Sequence, residues 1–365
     1  MSNLSTMYAL GLDQIVDAIK AGGSKRTMLV QGHMGTGKSS LLTMLGRELP
    51  THTMCYFDCT TKDLGDLTIP NIMGATETEG GYVTYMTNEE LGAHIGGPII
   101  LMVDELGKAN PAVQQGLGRA LLEHKIGSYT LHPDSIVFAT TNMGAEGVGD
   151  VMKAHLLNRL TVVQSRKPTA DEWVAWGINN NVHSTMLAWV KDNPQVLQSF
   201  EEVKNPEENP YIFHPQQQRR GFVTPRSLEA GSDWLHQRAQ FDDTTLTALL
   251  MGTIGEQGAM SLMTHVKIGD QLPSLQSIKD DPMTAIVPTS ASAVCMVVYR
   301  ALSTMDRSWC DAWMDYLSRL DTEAQGLFAN GVRAPKYSKQ SVVMTNRKFT
   351  QWALANNYMF AADKK

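Results

Sequence analysis

The chain has 365 residues, enough for two or three domains that each bury a core. Its net charge of −6 disfavours a broad nucleic-acid surface, although a locally basic pore stays open as an alternative. No apolar run is long enough to cross a membrane, and the first residues lack the charged and apolar regions of a secretory signal. We therefore expect a cytoplasmic protein that does not enter the membrane.

The cysteines indicate core packing in a reducing compartment. Cys55 and Cys59 are four residues apart on a predicted buried strand, which puts both on one face. No second pair of cysteines or histidines stands near them, so a metal clip is the weaker interpretation.

A helix is predicted over residues 4–22, and a phosphate-binding loop follows it. Gly32, Gly37, Lys38 and Ser39 match G-x-x-x-x-G-K-[ST], between an apolar strand at residues 28–30 and a helix that begins near Lys38. The glycines let backbone N–H groups converge on phosphate oxygens, and the helix dipole adds positive potential. The predicted nucleotide-binding residues are Gly32, His33, Met34, Gly35, Thr36, Gly37, Lys38, Ser39 and Ser40. A glycine turn with a solvated lysine is the alternative, which the flanking strand and helix disfavour.

A second strand is predicted at residues 53–59, followed by a section rich in glycine and threonine at residues 66–97. Within this section, residues 80–85 are predicted as one arm of a hairpin. Tyr82 and Tyr85 are candidate contacts with a partner, but local packing of both tyrosines in a surface loop is slightly favoured.

An apolar strand at residues 98–105 ends in two acids, Asp104 and Glu105. Its run of apolar residues is typical of a parallel strand buried on both faces, and ligands bind at the carboxyl ends of such strands. Asp104 is suited to order the water shell of Mg²⁺, with Ser39 as a second metal ligand. Glu105 is suited to polarise the water that attacks a γ-phosphate.

Two more predicted strands carry polar residues at their ends. The strand at residues 135–142 ends in Asn142, whose amide could bind the attacking water or the γ-phosphate, or form a turn. Arg159 precedes a last strand at residues 161–163. It is either a solvated charge or a donor to the phosphate of a neighbouring subunit.

From Arg166 onward the pattern is helical. Residues 192–221 are predicted as a long loop and residues 273–288 as a linker. Thr224 and Pro225 start a helix that carries Arg226 in its first turn, where a bound phosphate would offset the unfavourable interaction of the cation with the helix dipole.

The order of these motifs over residues 5–240 resembles that of the AAA+ ATPases and, within them, the MoxR family. Residues 32–39 are similar to Walker A, 103–105 to Walker B, 139–142 to the sensor-1 strand, 157–160 to the arginine-finger stretch and 224–226 to sensor 2. Asn158 stands where the family has Asp, and Gly107 and Lys108 stand where it has Asn and Arg. The second departure leaves the role of the basic position open.

The resemblance implies an α/β P-loop domain with a parallel sheet at residues 1–165, a helical lid with sensor 2 at 166–270 and a helical C-terminal extension at 271–365. It implies a Mg²⁺-dependent ATPase, with ATP and Mg²⁺ as cofactors, assembled as a homo-oligomeric ring that is often a hexamer. Such a ring acts as a chaperone that remodels a protein partner, in the MoxR family frequently one with a von Willebrand factor A domain. Arg159 would then act on the neighbouring subunit, and the residues acting within one subunit would be Lys38, Ser39, Asp104, Glu105, Asn142 and Arg226. A nucleic-acid motor or clamp on the same ATPase, and a nucleotide-dependent switch, are the alternatives.

Overall fold

The computed structural model describes residues 8–73, 81–142, 154–200, 203, 205–214, 216–217 and 219–360. The chain divides into two compact units, Met1–Lys167 and Pro168–Lys365. The expected division of the second unit near residue 270 stays a prediction.

The first unit is built on a parallel sheet of five strands in the order β2-β5-β8-β1-β9. Its strands are β1 Met28–Gln31, β2 Thr53–Asp58, β3 Thr68–Met73, β4 Tyr82–Thr87, β5 Ile99–Asp104, β6 Lys125–Ile126, β7 Tyr129–Thr130, β8 Ile136–Thr141 and β9 Thr161–Gln164. Its α-helices are α1 Leu12–Gly22, α2 Ser40–Glu48, α3 Pro111–Gly116, α4 Gly118–Glu123 and α5 Ala154–Leu157. Strands β3–β4 and β6–β7 form separate antiparallel pairs. The predicted α/β fold with a parallel sheet is confirmed.

The central strands β5 and β8 are buried along their whole length because apolar layers cover both faces of the sheet. On one face, Ile100 and Met102 pack with residues of α1 and α2; on the other, Leu101 and Val103 pack with residues of α3 and α4. This two-sided burial is the physical reason that β5 has no polar residue before Asp104.

The first helix is shorter than predicted. It begins at Leu12, after Leu10 has formed a parallel bridge with Ser165, whereas the prediction started it at residue 4. Residues 4–7 lie outside the described part of the chain. The prediction failed at Leu10 because the backbone there hydrogen-bonds to Gln164, the last residue of β9, and to Arg166 beyond it, which a periodicity argument cannot detect.

The predicted hairpin arm is confirmed: β4 pairs with β3 in an antiparallel ladder. The expected local packing of its tyrosines is wrong, since Tyr82 and Tyr85 are exposed to 64% and 45%. Ile69, Ile72 and Met86 are exposed on the same hairpin, and none of the twelve residues in the two strands is charged.

The second unit is helical. Its helices are α6 Ala170–Asn179, α7 Ser184–Asp192, α8 Pro225–His236, α9 Asp243–Ile254, α10 Glu256–Gly269, α11 Leu275–Asp280, α12 Ala291–Thr304, α13 Cys310–Leu317, α14 Thr322–Arg333, α15 Gln340–Met344 and α16 Arg347–Ala355. One apolar cluster reaches from α6 to α16, and Trp309 and Trp313 belong to it, as predicted. Thr169 and Thr224 cap α6 and α8 as predicted.

The predicted linker at residues 273–288 is wrong. It contains α11, whose Ile278 is fully buried, and Arg319 donates hydrogen bonds to the carbonyls of Pro282 and Ala285. Pro273 and Pro288, which bounded the predicted linker, instead flank a packed segment. Among the described residues, no helix combines the length and the apolar character that a membrane span requires.

Candidate functional site

The site lies at the carboxyl ends of β1, β5 and β8, which are neighbours in the sheet. The loop after β1 uses two glycines in the left-handed region, Gly35 with φ of 70° and Gly37 with φ of 96°. A Cβ at Gly37 would stand 2.9 Å from the Leu12 side chain, and one at Gly32 would stand 2.1 Å from Ser165 Oγ. The loop conformation and its close packing therefore both require glycine.

Lys38 is folded into the loop and is only 6% exposed. Its Nζ donates to the carbonyl oxygens of Gly32 and His33 at 2.7 and 2.8 Å, and to Asn142 Oδ1 at 2.8 Å. An ammonium group held above a glycine loop is a point charge that suits phosphate oxygens. The phosphate-loop lysine is thereby tied to the end of β8.

Asn142 joins that lysine to Glu105, the acid directly after β5. Its Nδ2 donates to Glu105 Oε1 at 2.8 Å and to Oε2 at 3.0 Å. Glu105 also pairs with Lys108, whose Nζ is 3.2 Å from Oε2. Glu105 takes φ of 54°, which costs about 1 kcal/mol for a non-glycine residue and aims its carboxylate at Asn142.

Asp104 is 7% exposed and is held by three donors. Thr140 Oγ1 and, at 3.1 Å, the backbone N–H of Glu105 donate to Oδ1. Tyr56 OH donates to Oδ2 at 2.9 Å. Partial burial, followed by the hydrogen bond to Asp104, raises the pKa of Tyr56 and keeps it a neutral donor.

A third acid, Asp58, stands beside Asp104 in the register of β2 and β5. Burial, together with the negative charges of Asp58, Asp104 and Glu105, raises the pKa of the Cys59 thiol to about 12. Cys59 is therefore a buried neutral thiol, and all four cysteines of the chain are free. The predicted core role of Cys55 and Cys59 is confirmed.

These residues fit a magnesium–nucleotide pair. The described residues contain no cluster of three or more His, Cys, Asp or Glu side chains suited to a metal ion. Mg²⁺ in nucleotide sites does not need one, because it takes one or two protein oxygens and completes its shell with phosphate and water. Asp104 and the hydroxyl of the exposed Ser39 supply such oxygens.

The two predicted arginines lie outside this network. Arg159 is exposed and lines a groove with Arg119 and Glu123. Within the described residues, no hydrogen bond or ion pair joins its guanidinium to Glu105. Arg226 belongs to the helical unit, where it is exposed at the first turn of α8 and lowers the pKa of Glu229, though less than burial raises it.

Sequence reasoning missed Tyr56, Thr140 and the ion pair of Lys108. A tyrosine three residues before the end of a predicted strand belongs to no motif, so it gave no signal of its own. Knowledge that β2 and β5 are neighbours would have identified it, because the register places Tyr56 and Asp104 on one face.

No protein-family model matches the chain, and no curated protein matches it. Among solved structures, the RuvB Holliday junction branch migration motor of Thermotoga maritima overlaps with a TM-score of 0.33 at 18% identity, over 71% of this chain and 68% of that one. Hsp104 bound to ATPγS and FITC casein overlaps with a TM-score of 0.37 at 16% identity, over 71% of this chain and 44% of that one. A putative ATPase from Cytophaga hutchinsonii overlaps with a TM-score of 0.34 at 12% identity, over 72% of this chain and 91% of that one. At such TM-scores these overlaps carry no argument about activity, which has to be argued from the site.

Proposed function

We propose that the protein is a Mg²⁺-dependent ATPase of the AAA+ class, similar to the MoxR family, that works as a ring-shaped remodeller of a protein partner. One observation carries the ATPase assignment. Asn142 bridges the phosphate-loop Lys38 and the acid Glu105, with hydrogen bonds of 2.8 to 3.0 Å. A buried cation, an amide and a carboxylate in direct contact provide the groups that water attack on a γ-phosphate requires.

In the proposed reaction, Lys38 exchanges its loop carbonyls for β- and γ-phosphate oxygens and stabilises the charge that develops on them. Glu105 accepts a hydrogen bond from the attacking water, and Asn142 orients that water or the γ-phosphate. Asp104 and Ser39 would hold Mg²⁺, which neutralises phosphate charge when bound. Asn142 occupies one acceptor position on each oxygen of the Glu105 carboxylate and Lys108 a second one on Oε2, so Oε1 retains a position that can accept from water.

Two arginines complete the proposed site. We assign Arg159 as the finger that reaches the nucleotide of a neighbouring subunit, because it is exposed and no ion pair holds its guanidinium in the described part of the chain. Arg226 is assigned to sensor 2 because a bound phosphate would offset the unfavourable interaction of its cation with the dipole of α8. The role of Arg159 requires assembly, for which we propose a homo-oligomeric ring, most simply a hexamer.

The uncharged strands β3 and β4 support a protein partner rather than a nucleic acid. Their exposed residues include Ile69, Ile72, Tyr82, Tyr85 and Met86. An apolar surface without lysine or arginine suits polypeptide, whereas a phosphate backbone requires basic groups. The four free thiols support a reducing cytoplasm. A partner with a von Willebrand factor A domain is part of the proposal on the MoxR resemblance alone.

The test of the ATPase is a pair of variants with matched controls. Lys38→Ala is expected to abolish tight ATP binding in calorimetry, while Lys25→Ala, at an exposed lysine, binds normally. Arg159→Ala is expected to bind ATP but lose turnover, with Arg307→Ala as the control. Mixing Lys38→Ala and Arg159→Ala subunits is expected to restore some phosphate release, because a mixed interface contains one intact site. Wild-type turnover by Arg159→Ala alone would remove the finger assignment.

The partner class is tested separately. Glu105→Gln protein held in ATP is used to capture partners, and wild-type turnover is measured with and without single- and double-stranded DNA at low salt. We expect a captured protein and no stimulation by DNA. Clear stimulation that weakens as salt rises would favour the nucleic-acid motor instead.

A further inference from the structure

The carboxylate of Asp104 is more fully engaged than a metal-ordering acid needs to be. Oδ1 accepts from Thr140 Oγ1 and from the backbone N–H of Glu105, and Oδ2 accepts from Tyr56 OH at 2.9 Å. An ionised carboxylate has about four acceptor positions, two on each oxygen. Both positions on Oδ1 are therefore filled, and Oδ2 retains one.

We propose that Tyr56 is a positioning residue for magnesium binding: its hydroxyl fixes the Asp104 carboxylate so that a single acceptor position, on Oδ2, is left for a water of the metal's shell. This inference rests on the proposed function, since it concerns the same site. It adds a residue that no motif of the sequence indicates.

The sheet explains how Tyr56 reaches Asp104. In the parallel pair β2–β5, Tyr56 is level with Met102 and Asp58 is level with Asp104. Tyr56 and Asp104 thus share a face and are one diagonal step apart, within reach of a long side chain. A shorter polar residue at position 56 could not span that step.

Packing does not account for this tyrosine. Strand β2 is an edge strand, and Cys55 and Phe57 turn toward the core, whereas Tyr56 is 45% exposed. Tyr56 is therefore much less buried than its neighbours Cys55 and Phe57. The hydroxyl contacts an acid that is only 7% exposed, so its effect is concentrated on the site.

The consequence is a specific loss in Tyr56→Phe. The variant keeps the ring and removes one of the three donors, so the carboxylate can rotate away from the orientation that Mg²⁺ uses. Partners that orient a metal-binding group typically contribute 10- to 100-fold to metal affinity, and the exposed position of Tyr56 suggests about tenfold.

The experiment measures how nucleotide binding depends on Mg²⁺, under conditions in which no nucleotide is hydrolysed. The affinity of the full chain for a non-hydrolysable ATP analogue is measured by calorimetry in EDTA and across a MgCl₂ titration. Tyr56→Phe is expected to match the wild type in EDTA and to require about tenfold more Mg²⁺ for the same tightening. Tyr82→Phe, which removes an exposed hydroxyl of the hairpin, is expected to match the wild type throughout. Asp104→Asn is the reference variant, in which the tightening of analogue binding by Mg²⁺ is expected to be lost completely.

The outcomes separate the two claims. If Asp104→Asn loses the Mg²⁺ effect while Tyr56→Phe keeps the wild-type curve, the role of Tyr56 is overturned and the ATPase stands. If Tyr56→Phe binds Mg²⁺ with the analogue more tightly, the hydroxyl competes with the metal's water, which also overturns it. If the wild type shows no Mg²⁺-dependent binding, the proposed function itself falls.

Discussion

Replacing Glu105 by Gln removes one negative charge and keeps the shape of the side chain. In the structure this carboxylate accepts two hydrogen bonds from Asn142 and lies 3.2 Å from Lys108 Nζ. The side chains of Lys108 and Glu105 are 32% and 23% exposed, so solvent screens their attraction only in part. The substitution therefore separates chemistry from folding.

The expected changes differ greatly in size. A partly exposed ion pair contributes about 0.2–1 kcal/mol, and exchanging a charge-assisted hydrogen bond for a neutral one costs about 1 kcal/mol. The free energy of unfolding of the first unit is thus expected to fall by about 1–2 kcal/mol. A general base contributes roughly 10²- to 10⁴-fold to rate, so turnover is expected to fall by that factor while ATP still binds.

The assays are phosphate release at saturating ATP and urea unfolding without nucleotide. Glu89→Gln is the matched control, because Glu89 is exposed and lies outside the site. It is expected to leave both quantities unchanged. Turnover of Glu105→Gln within threefold of the wild type would refute the role of Glu105 as the base.

Two further predictions concern His183 and Gly37. Burial lowers the pKa of His183 to about 4 from an unfolded value of 6.5, so its contribution to stability is complete above pH 6.5 and is lost as the pH falls toward 4, by about 3 kcal/mol in all. His183→Asn keeps a side chain that can cap α7. In urea unfolding, the variant is expected to lose about 3 kcal/mol less stability than the wild type between pH 7 and pH 4. A pH dependence equal to that of the wild type would refute this. Gly37→Ala forces a Cβ against Leu12 at φ of 96° and is expected to cost about 1–2 kcal/mol and abolish ATP binding, while Gly97→Ala, in open space, is expected to be neutral in both assays.

The local motifs could be predicted because their physics is local. A glycine loop, an apolar run that ends in two acids and a capping threonine each depend on a few consecutive residues. The strands β1, β5 and β8 and the caps at Thr169 and Thr224 were predicted for this reason. Prediction failed where partners were distant in sequence, as for Leu10 beside β9 and for α11, whose buried Ile278 contradicts the linker.

By itself the sequence determined which residue types stand at the end of each strand: Lys38 beyond β1, Asp104 and Glu105 at β5, and Asn142 beyond β8. Only the tertiary structure decided that Asn142 bridges Lys38 and Glu105, and that Tyr56 holds Asp104. The reason is the strand order. Neighbours in a parallel sheet are separated in the chain by crossovers of many residues, so the contacts between their ends depend on register and on which strands lie side by side, and no local pattern encodes either.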